Sequence, residues 1–369
     1  MQRSLGGVGR AFLELLLRAP TGSAAATDVG VLAVVDSATI LRAADDAADG
    51  HLSRAALSAI LLVKQQRTDT LASVATDPWL KCVSQPRSDG SLLELARARP
   101  KVVVADCSAS DTASLHTSVL STTPASVVLA NKKPLCESWH IFQQLTSQRR
   151  RFRAESTVGA GLPVHAALRR CLSSTDAVSR ISGALSGTLG YVMSGLERGQ
   201  SFSAVVTAAK AAGFTEPDPR DDLSGMDIAR KALILARRLG WPLELSQVSV
   251  QSLFPAAAMG PDKMTVQTFM QQLPTLDADF SDRAAKAAAD GCVLRYGAVV
   301  KDGACSVRLL PVPAASPLGR LSGTDNLLEI HSSCYDTAPL VIQGRGAGAT
   351  ATAAGVLADV LELHDCSSE

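Results

Sequence analysis

The chain has 369 residues, 46% of them hydrophobic and 19% charged, which suits a globular protein of two cores better than one. Its 36 basic and 35 acidic residues leave a net charge of +1, with no dense Lys/Arg run, so a nucleic-acid or anionic-membrane role is excluded. No stretch reaches the roughly 18 uncharged apolar residues of a membrane helix, and the N-terminus has no secretory pattern. The eight cysteines, Cys82, Cys107, Cys136, Cys171, Cys292, Cys305, Cys334 and Cys366, contain no C-x-x-C pair and read as scattered reduced thiols.

In chain order, Gly6 to Leu17 reads as a glycine turn running into an amphipathic helix with Phe12, Leu13, Leu16 and Leu17 on its apolar side. The continuous apolar run Val29 to Val35, closed by Asp36, predicts a buried parallel strand. Leu57 to Lys64 and Ser91 to Arg97 read as helices, and Val102 to Ala105 and Val127 to Ala130 as short strands followed at once by polar residues. This βαβ rhythm predicts an α/β fold, a Rossmann-like doubly wound parallel sheet.

Gly6-Gly7-Val8-Gly9 before a helix suits a dinucleotide turn, where glycines let backbone approach a pyrophosphate held at the helix N-terminus. Taken alone, such a cluster is as readily a plain turn. Asp36 ends the next apolar run, where a carboxylate can bind a ribose 2′-hydroxyl and disfavour a 2′-phosphate, and Ser108 stands where a later strand meets the crevice. Only Met1, Gln2 and Arg3 precede Ser4, which occupies the first glycine's position, so the first strand is expected to be truncated.

Around Glu155 the texture changes. Gly159, Gly161 and Pro163 form a joint; a Ser/Gly/Thr-rich turn is predicted at Ser182 to Gly190, then helices at Phe202 to Ala212 and Ser224 to Leu239. Val293 to Lys301 and Ala304 to Leu310 alternate as antiparallel strands do, and Gly344 to Leu363 returns to turn plus helix. The expected division is residues 1–155 with 336–369 as nucleotide-binding domain, and 156–335 as an α+β substrate and dimerisation domain.

The segment Gly213-Phe214-Thr215-Glu216-Pro217-Asp218-Pro219-Arg220-Asp221-Asp222 packs carboxylates onto a stretch that two prolines should hold extended. Asp227 and Lys231 share a helical face. They form either a surface pair worth about 0.3–0.5 kcal/mol or, with Ser224 as N-cap, a capping box at Asp227. The functional alternative has carboxylates holding a cationic substrate group while Lys231 gives a proton to a carbonyl reduced by hydride.

Ala130-Asn131-Lys132-Lys133, Glu155 through Pro163, Ser186-Gly187-Thr188-Leu189, Gly213 through Lys231, Leu321 through Asn326 and Gly344 through Gly348 together resemble the signature segments of homoserine dehydrogenase, in order and spacing, over nearly the whole chain. The resemblance implies an NAD(P)-dependent oxidoreductase interconverting L-aspartate 4-semialdehyde and L-homoserine. It implies Lys231 as proton donor with Asp227 beside it, Lys132 between cofactor and substrate, and Glu216 and Asp222 on the substrate. Cofactor contacts fall on Gly6, Gly7, Val8, Asp36, Ser108, Lys132, Gly213 and Gly348. A monovalent cation such as Na+ falls on Glu155 and the carbonyls of Val158, Ala160 and Leu162, since a hard cation takes oxygen ligands. A homodimer and a cytoplasmic or plastid location are also implied. Phe214 stands where the family has tyrosine. Two rival readings remain: a non-catalytic dinucleotide-binding relic, and an acyl-phosphate-forming semialdehyde dehydrogenase, which needs a nucleophilic cysteine such as Cys107 or Cys136.

Overall fold

A computed structural model of the chain describes residues 6–18, 29–45, 50–66 and 71–365. Ser4, its preceding residues and Cys366 lie outside them. The chain divides into two compact units, Met1–Pro134 with Gln143–Ser156 and Gly348–Glu369, and Leu135–Phe142 with Thr157–Ala347.

The first unit opens on the helix Gly7–Arg18, which buries Ala11, Leu13 and Leu16. Two three-stranded sheets follow. β1 (Ala33–Val35), β2 (Thr39–Ala43) and β3 (Cys82–Pro86) pair antiparallel. β4 (Val103–Asp106), β5 (Ser126–Leu129) and β6 (Phe152–Arg153) pair parallel. The helix Arg54–Gln66 adds Ala56, Leu57 and Ile60 to a core shared with Leu13, Val34 and Leu41. The last helix, Ala349–Asp365, sets Val356, Val360 and Leu363 against Val128 of β5.

The parallel strand expected at Val29–Val35 is not formed. Only Ala33–Val35 is strand, and it runs antiparallel to β2 with Val34 opposite Leu41. The cause is Asp36: its Oδ1 accepts the N–H groups of Ala38 and Thr39, both at 2.9 Å, a side-chain turn that reverses the chain at once. The Rossmann-like half therefore has its strands divided between two sheets among the described residues.

In the second unit, β7 (Val178–Ala184), β8 (Ser249–Val250), β9 (Cys292–Lys301), β10 (Ala304–Pro313), β11 (Asn326–Ser332) and β12 (Leu340–Gly344) form one sheet in the order β12-β11-β7-β9-β10-β8. All neighbours are antiparallel except β8 and β10. β9 and β10 make the predicted hairpin. Its two-residue turn, Asp302-Gly303, has φ of 52° and 76°, the both-positive pattern that matches strand twist. Residues 340–344, expected with the first domain, are instead the edge strand of this sheet, hydrogen-bonded to β11. The turn expected over Ser182–Gly190 is mostly regular structure, the end of β7 and the start of the helix Gly187–Glu197. Gly183 is there because a Cβ would strike the Leu327 carbonyl of β11, so its glycine marks close strand approach. The helix Met226–Arg238 buries Ile228, Ala229, Ala232, Leu233, Leu235 and Ala236 and packs on β9 and β10. No described helix is long and apolar enough to cross a membrane.

Candidate active site

The residues singled out above divide between the units. Gly6, Gly7, Val8, Asp36, Ser108, Lys132, Glu155 and Gly348 belong to the first; Val158, Ala160, Leu162, Gly213, Glu216, Asp222, Asp227 and Lys231 belong to the second.

The second unit brings its polar group together by an unforeseen local route. Pro219 does not prevent helix; it starts one. Pro219–Leu223 is helical with proline at the first position, where no N–H is needed, and Asp218 caps it by accepting from Arg220 N at 3.0 Å. The Arg220 guanidinium also grips both Asp218 oxygens, at 2.7–3.0 Å, and donates to the Met264 carbonyl at 2.8 Å. Asp218 is thus bound into the loop's own structure.

The next helix starts one residue late. Its cap is Gly225, at φ 75°, not Ser224, which closes the preceding turn. A side chain at Gly225 would run into the Tyr296 hydroxyl, which donates to the Gln251 carbonyl at 2.6 Å. The capping-box alternative is not what forms: Ser224 Oγ accepts the Met226 N–H at 3.3 Å. Asp227 instead receives the Lys231 ammonium at 2.7 Å, one turn on.

Lys231 is buried, its side chain 9% exposed, while Asp227 is 48% exposed. That contrast decides against the plain surface pair: a lysine at such depth is held for a reason beyond a few tenths of a kcal/mol. Its Nζ also donates to the Leu185 carbonyl at 2.6 Å, just before Ser186, whose hydroxyl caps the helix Gly187–Glu197. The lysine therefore ties the residue just before the Ser186–Leu189 turn to the first turn of its own helix.

Asp222 is the carboxylate beside this group. Its Oδ2 accepts the Glu216 N–H at 2.8 Å, tying the two expected substrate-binding residues to each other. Thr188, in the quoted Ser186–Leu189 motif but given no role there, sits within hydrogen-bond reach of Asp222 and donates to the Phe214 carbonyl at 2.6 Å. Burial pushes the Asp222 carboxyl above its ordinary range, the charges of Asp221 and Asp227 add to this, and the Glu216 and Thr188 contacts only partly offset it. The Glu216 side chain is exposed. Phe214, 44% exposed, packs its ring on Tyr191 with centroids 5.1 Å apart. Gly213, at φ 73°, opens on space that a Cβ would not fill.

In the first unit, Gly6 and Gly7 are exposed at the N-terminus of a 12-residue helix, as a cradle for an anion requires. Gly348, at φ 115°, has open space about its Cα. Ser108 is exposed, its N–H fixed by Asp106 at 2.8 Å. Asp36 departs from the expectation of a carboxylate open to a ribose. Its side chain is 6% exposed; besides the two backbone N–H groups it accepts Lys64 Nζ at 2.8 Å, and that lysine's side chain is 5% exposed. Burial raises the Asp36 pKa, but the Lys64 and backbone hydrogen bonds outweigh it and hold the group below its usual range.

At the candidate cation turn, Gly159 and Ala160 both take positive φ, 83° and 57°. The Gly159 carbonyl closes this turn by accepting the Leu162 N–H at 3.0 Å. The Leu162 carbonyl also accepts Val164 N–H at 2.8 Å. Cys107, the rival nucleophile, is pushed up to about 12 by burial and by the Asp106 charge, so its thiol is inert.

A family model described as homoserine dehydrogenase matches residues 163–361. A bifunctional aspartokinase/homoserine dehydrogenase of Haemophilus influenzae is 42% identical over 232 residues, covering 63% of this chain and 28% of that one. The homoserine dehydrogenase of Paracoccidioides brasiliensis is 39% identical over 253 residues, covering 64% of this chain and 68% of that one. The chain thus spans under a third of the bifunctional relative's length. In fold, it resembles a hyperthermophilic archaeal homoserine dehydrogenase in complex with NADPH, at TM-score 0.70 and 20% identity over 98% of this chain and 95% of that one. The matched region spans more than half the chain and contains the Lys231–Asp227–Asp222–Glu216 group, and the chain belongs to the homoserine dehydrogenase family.

Proposed function

We propose that the chain is a homoserine dehydrogenase, interconverting L-homoserine and L-aspartate 4-semialdehyde with NAD or NADP. The observation that carries this is the buried Lys231, held by Asp227 and Leu185, with the charge of Asp227 acting in turn on Asp222, which is tied to Glu216. A cationic donor next to carboxylates is the set needed by a substrate with an ammonium at one end and an oxygen at the other that changes charge.

In this reading, ionised Asp222 and Glu216 hold the substrate ammonium. Lys231 places its charge where the alkoxide grows and carries the proton at that oxygen, while Asp227 keeps the amine oriented. Nicotinamide, when bound, supplies or accepts the hydride. Gly6, Gly7 and Val8 offer N–H groups to the pyrophosphate; Ser108, Lys132, Gly213 and Gly348 are the remaining proposed cofactor contacts. Lys64 offsets the charge of Asp36, so the repulsion expected against a 2′-phosphate is weakened and both cofactors are proposed. Glu155 with the carbonyls of Val158, Ala160 and Leu162 is the proposed monovalent-cation site, and the assembly is proposed to be a homodimer. Against a non-catalytic relic stands the burial of Lys231, which a binding protein has no use for.

The test is absorbance at 340 nm with purified protein, L-homoserine and either NAD or NADP at alkaline pH. Homoserine-dependent reduction is expected. NADPH binding without turnover would leave the relic reading.

A further inference from the structure

The carboxyl ends of β4 and β5 carry a buried polar cluster whose centre, Asp106, has no part in the proposed chemistry. Asp106, the last residue of β4, is 7% exposed and takes four side-chain or loop donors. Thr112 Oγ1 donates at 2.7 Å, His116 Nε2 at 2.8 Å, Ser108 N–H at 2.8 Å and Asn131 Nδ2 at 3.1 Å. Its backbone carbonyl also accepts the N–H groups of Ala130 and Asn131, at 2.9 and 3.2 Å. Apart from His116, these tethers lead to one of two loops, the one after β4 that carries Ser108 or the one after β5 that carries Lys132.

Asn131 is the joint between the loops. Its amide donates to the Ser110 carbonyl at 2.8 Å as well as to Asp106, and its Oδ1 accepts the Lys133 N–H at 3.1 Å. Both sides of Lys132 are therefore fixed by the Asn131 side chain. His116, 1% exposed, comes from the helix Ala113–Thr122. A carboxylate only accepts, so Nε2 carries the proton, and Nδ1 has no hydrogen-bond partner. Among the described residues the sole polar tether of this ring is Asp106, and leaving a ring nitrogen unsatisfied costs about 1–3 kcal/mol. Packing alone would be served better by leucine.

We propose that Asp106 and His116 are positioning residues for the reaction, a charged buried hub that fixes the Asn131–Lys133 turn and so the direction in which Lys132 leaves β5. This rests on the homoserine dehydrogenase reading and adds to it a pair of residues that touch neither substrate nor cofactor. Without the His116 donor, the Asp106 carboxylate turns toward its remaining donors, Asn131 shifts, and Lys132 loses its aim. The carboxylates proposed to hold homoserine belong to the other unit.

The experiment compares wild type, His116→Leu, His116→Gln and Thr112→Val by steady-state kinetics in NADP and L-homoserine, by NADPH fluorescence titration and by thermal unfolding. Wild-type activity comes first; its absence would fail the functional reading, not this one. Given activity, His116→Leu is expected to lower kcat at least tenfold and raise the NADPH Kd and NADP KM about fivefold, with homoserine KM unchanged. His116→Gln, which restores an N–H aimed at Asp106, should recover turnover to within about threefold. Wild-type kinetics in His116→Leu would overturn the proposal. So would kcat falling only in step with the folded fraction, with unaltered NADPH affinity and no rescue by Gln. If His116→Leu does not fold, Thr112→Val removes a second donor from the same carboxylate, and the same split in kcat and NADPH affinity decides.

Discussion

Asp36 and Asp106 of the first unit and the partly buried Asp222 of the second are held on opposite terms. In the first, Asp36 and Asp106 are surrounded by donors, from Lys64 and two N–H groups in one case and from His116, Thr112, Asn131 and Ser108 in the other. Burial opposes their charge, but those partners outweigh it and both sit below the ordinary carboxylate value of 3.8. In the second, Asp222 is desolvated, faces Asp221 and Asp227, and sits above it. A depressed carboxylate stabilises the fold once ionised; a raised one is ionised at neutral pH only at a cost to the fold. Charge kept at a cost marks the place where a ligand is expected to supply the missing counter-ion.

The largest effect that could break this contrast is at Lys231. Lys231→Ala should lower kcat by about 10²–10⁴ with NADPH affinity unchanged, because the proton donor goes and the dinucleotide turn stays. A fluorescence titration beside the kinetics checks both halves. Next is Lys64→Met, which leaves the Asp36 charge buried without its cation and should cost about 3–5 kcal/mol by urea unfolding. Gly225→Ala forces a side chain into a positive-φ site against Tyr296 and should cost about 2–4 kcal/mol in the same assay.

Acid sharpens the contrast further. The contributions of Asp36 and Asp106 are fully present above the ordinary value and are lost as pH falls through their lower folded values. Asp222 has the reverse sign: its contribution exists below the ordinary value and is lost as pH rises through its raised folded value. Thermal melts between pH 7 and 3 should show Asp106→Asn with a flatter acid slope than wild type. Homoserine KM should rise on the acid side as the raised Asp222 takes up its proton.

Much of this was legible in the sequence because it rests on local pattern. The helix at Phe202–Ala211, the antiparallel pairing of Cys292–Lys301 with Ala304–Pro313 and the Asp227–Lys231 spacing follow from periodicity and turn residues. The failures share one cause, side chains that act on backbone or at long range. Asp36 looked like the end of a parallel strand because nothing in an apolar run announces that its closing aspartate will cap a turn or meet Lys64, 28 residues on. Pro219 taken alone predicts a helix breaker, yet the preceding Asp218 is an N-cap signal that makes proline a starter. Gly225 was overlooked for Ser224, because a left-handed cap is dictated by Tyr296, distant in sequence. The Asp106–His116 pair left no pattern at all, since one end lies on a strand and the other on the following helix.

The most direct measurement is a paired one on Asp222→Asn, taking L-homoserine kcat/KM and the thermal midpoint at neutral pH. Asparagine can still accept the Glu216 N–H, so the loop is kept while the charge is lost. The account predicts kcat/KM for homoserine down at least tenfold, about 1.4 kcal/mol, NADP KM unchanged, and a midpoint equal to or above wild type. An unchanged homoserine kcat/KM, or a midpoint that drops as it does for Asp106→Asn, would place Asp222 among the structural carboxylates and contradict the assignment of the site.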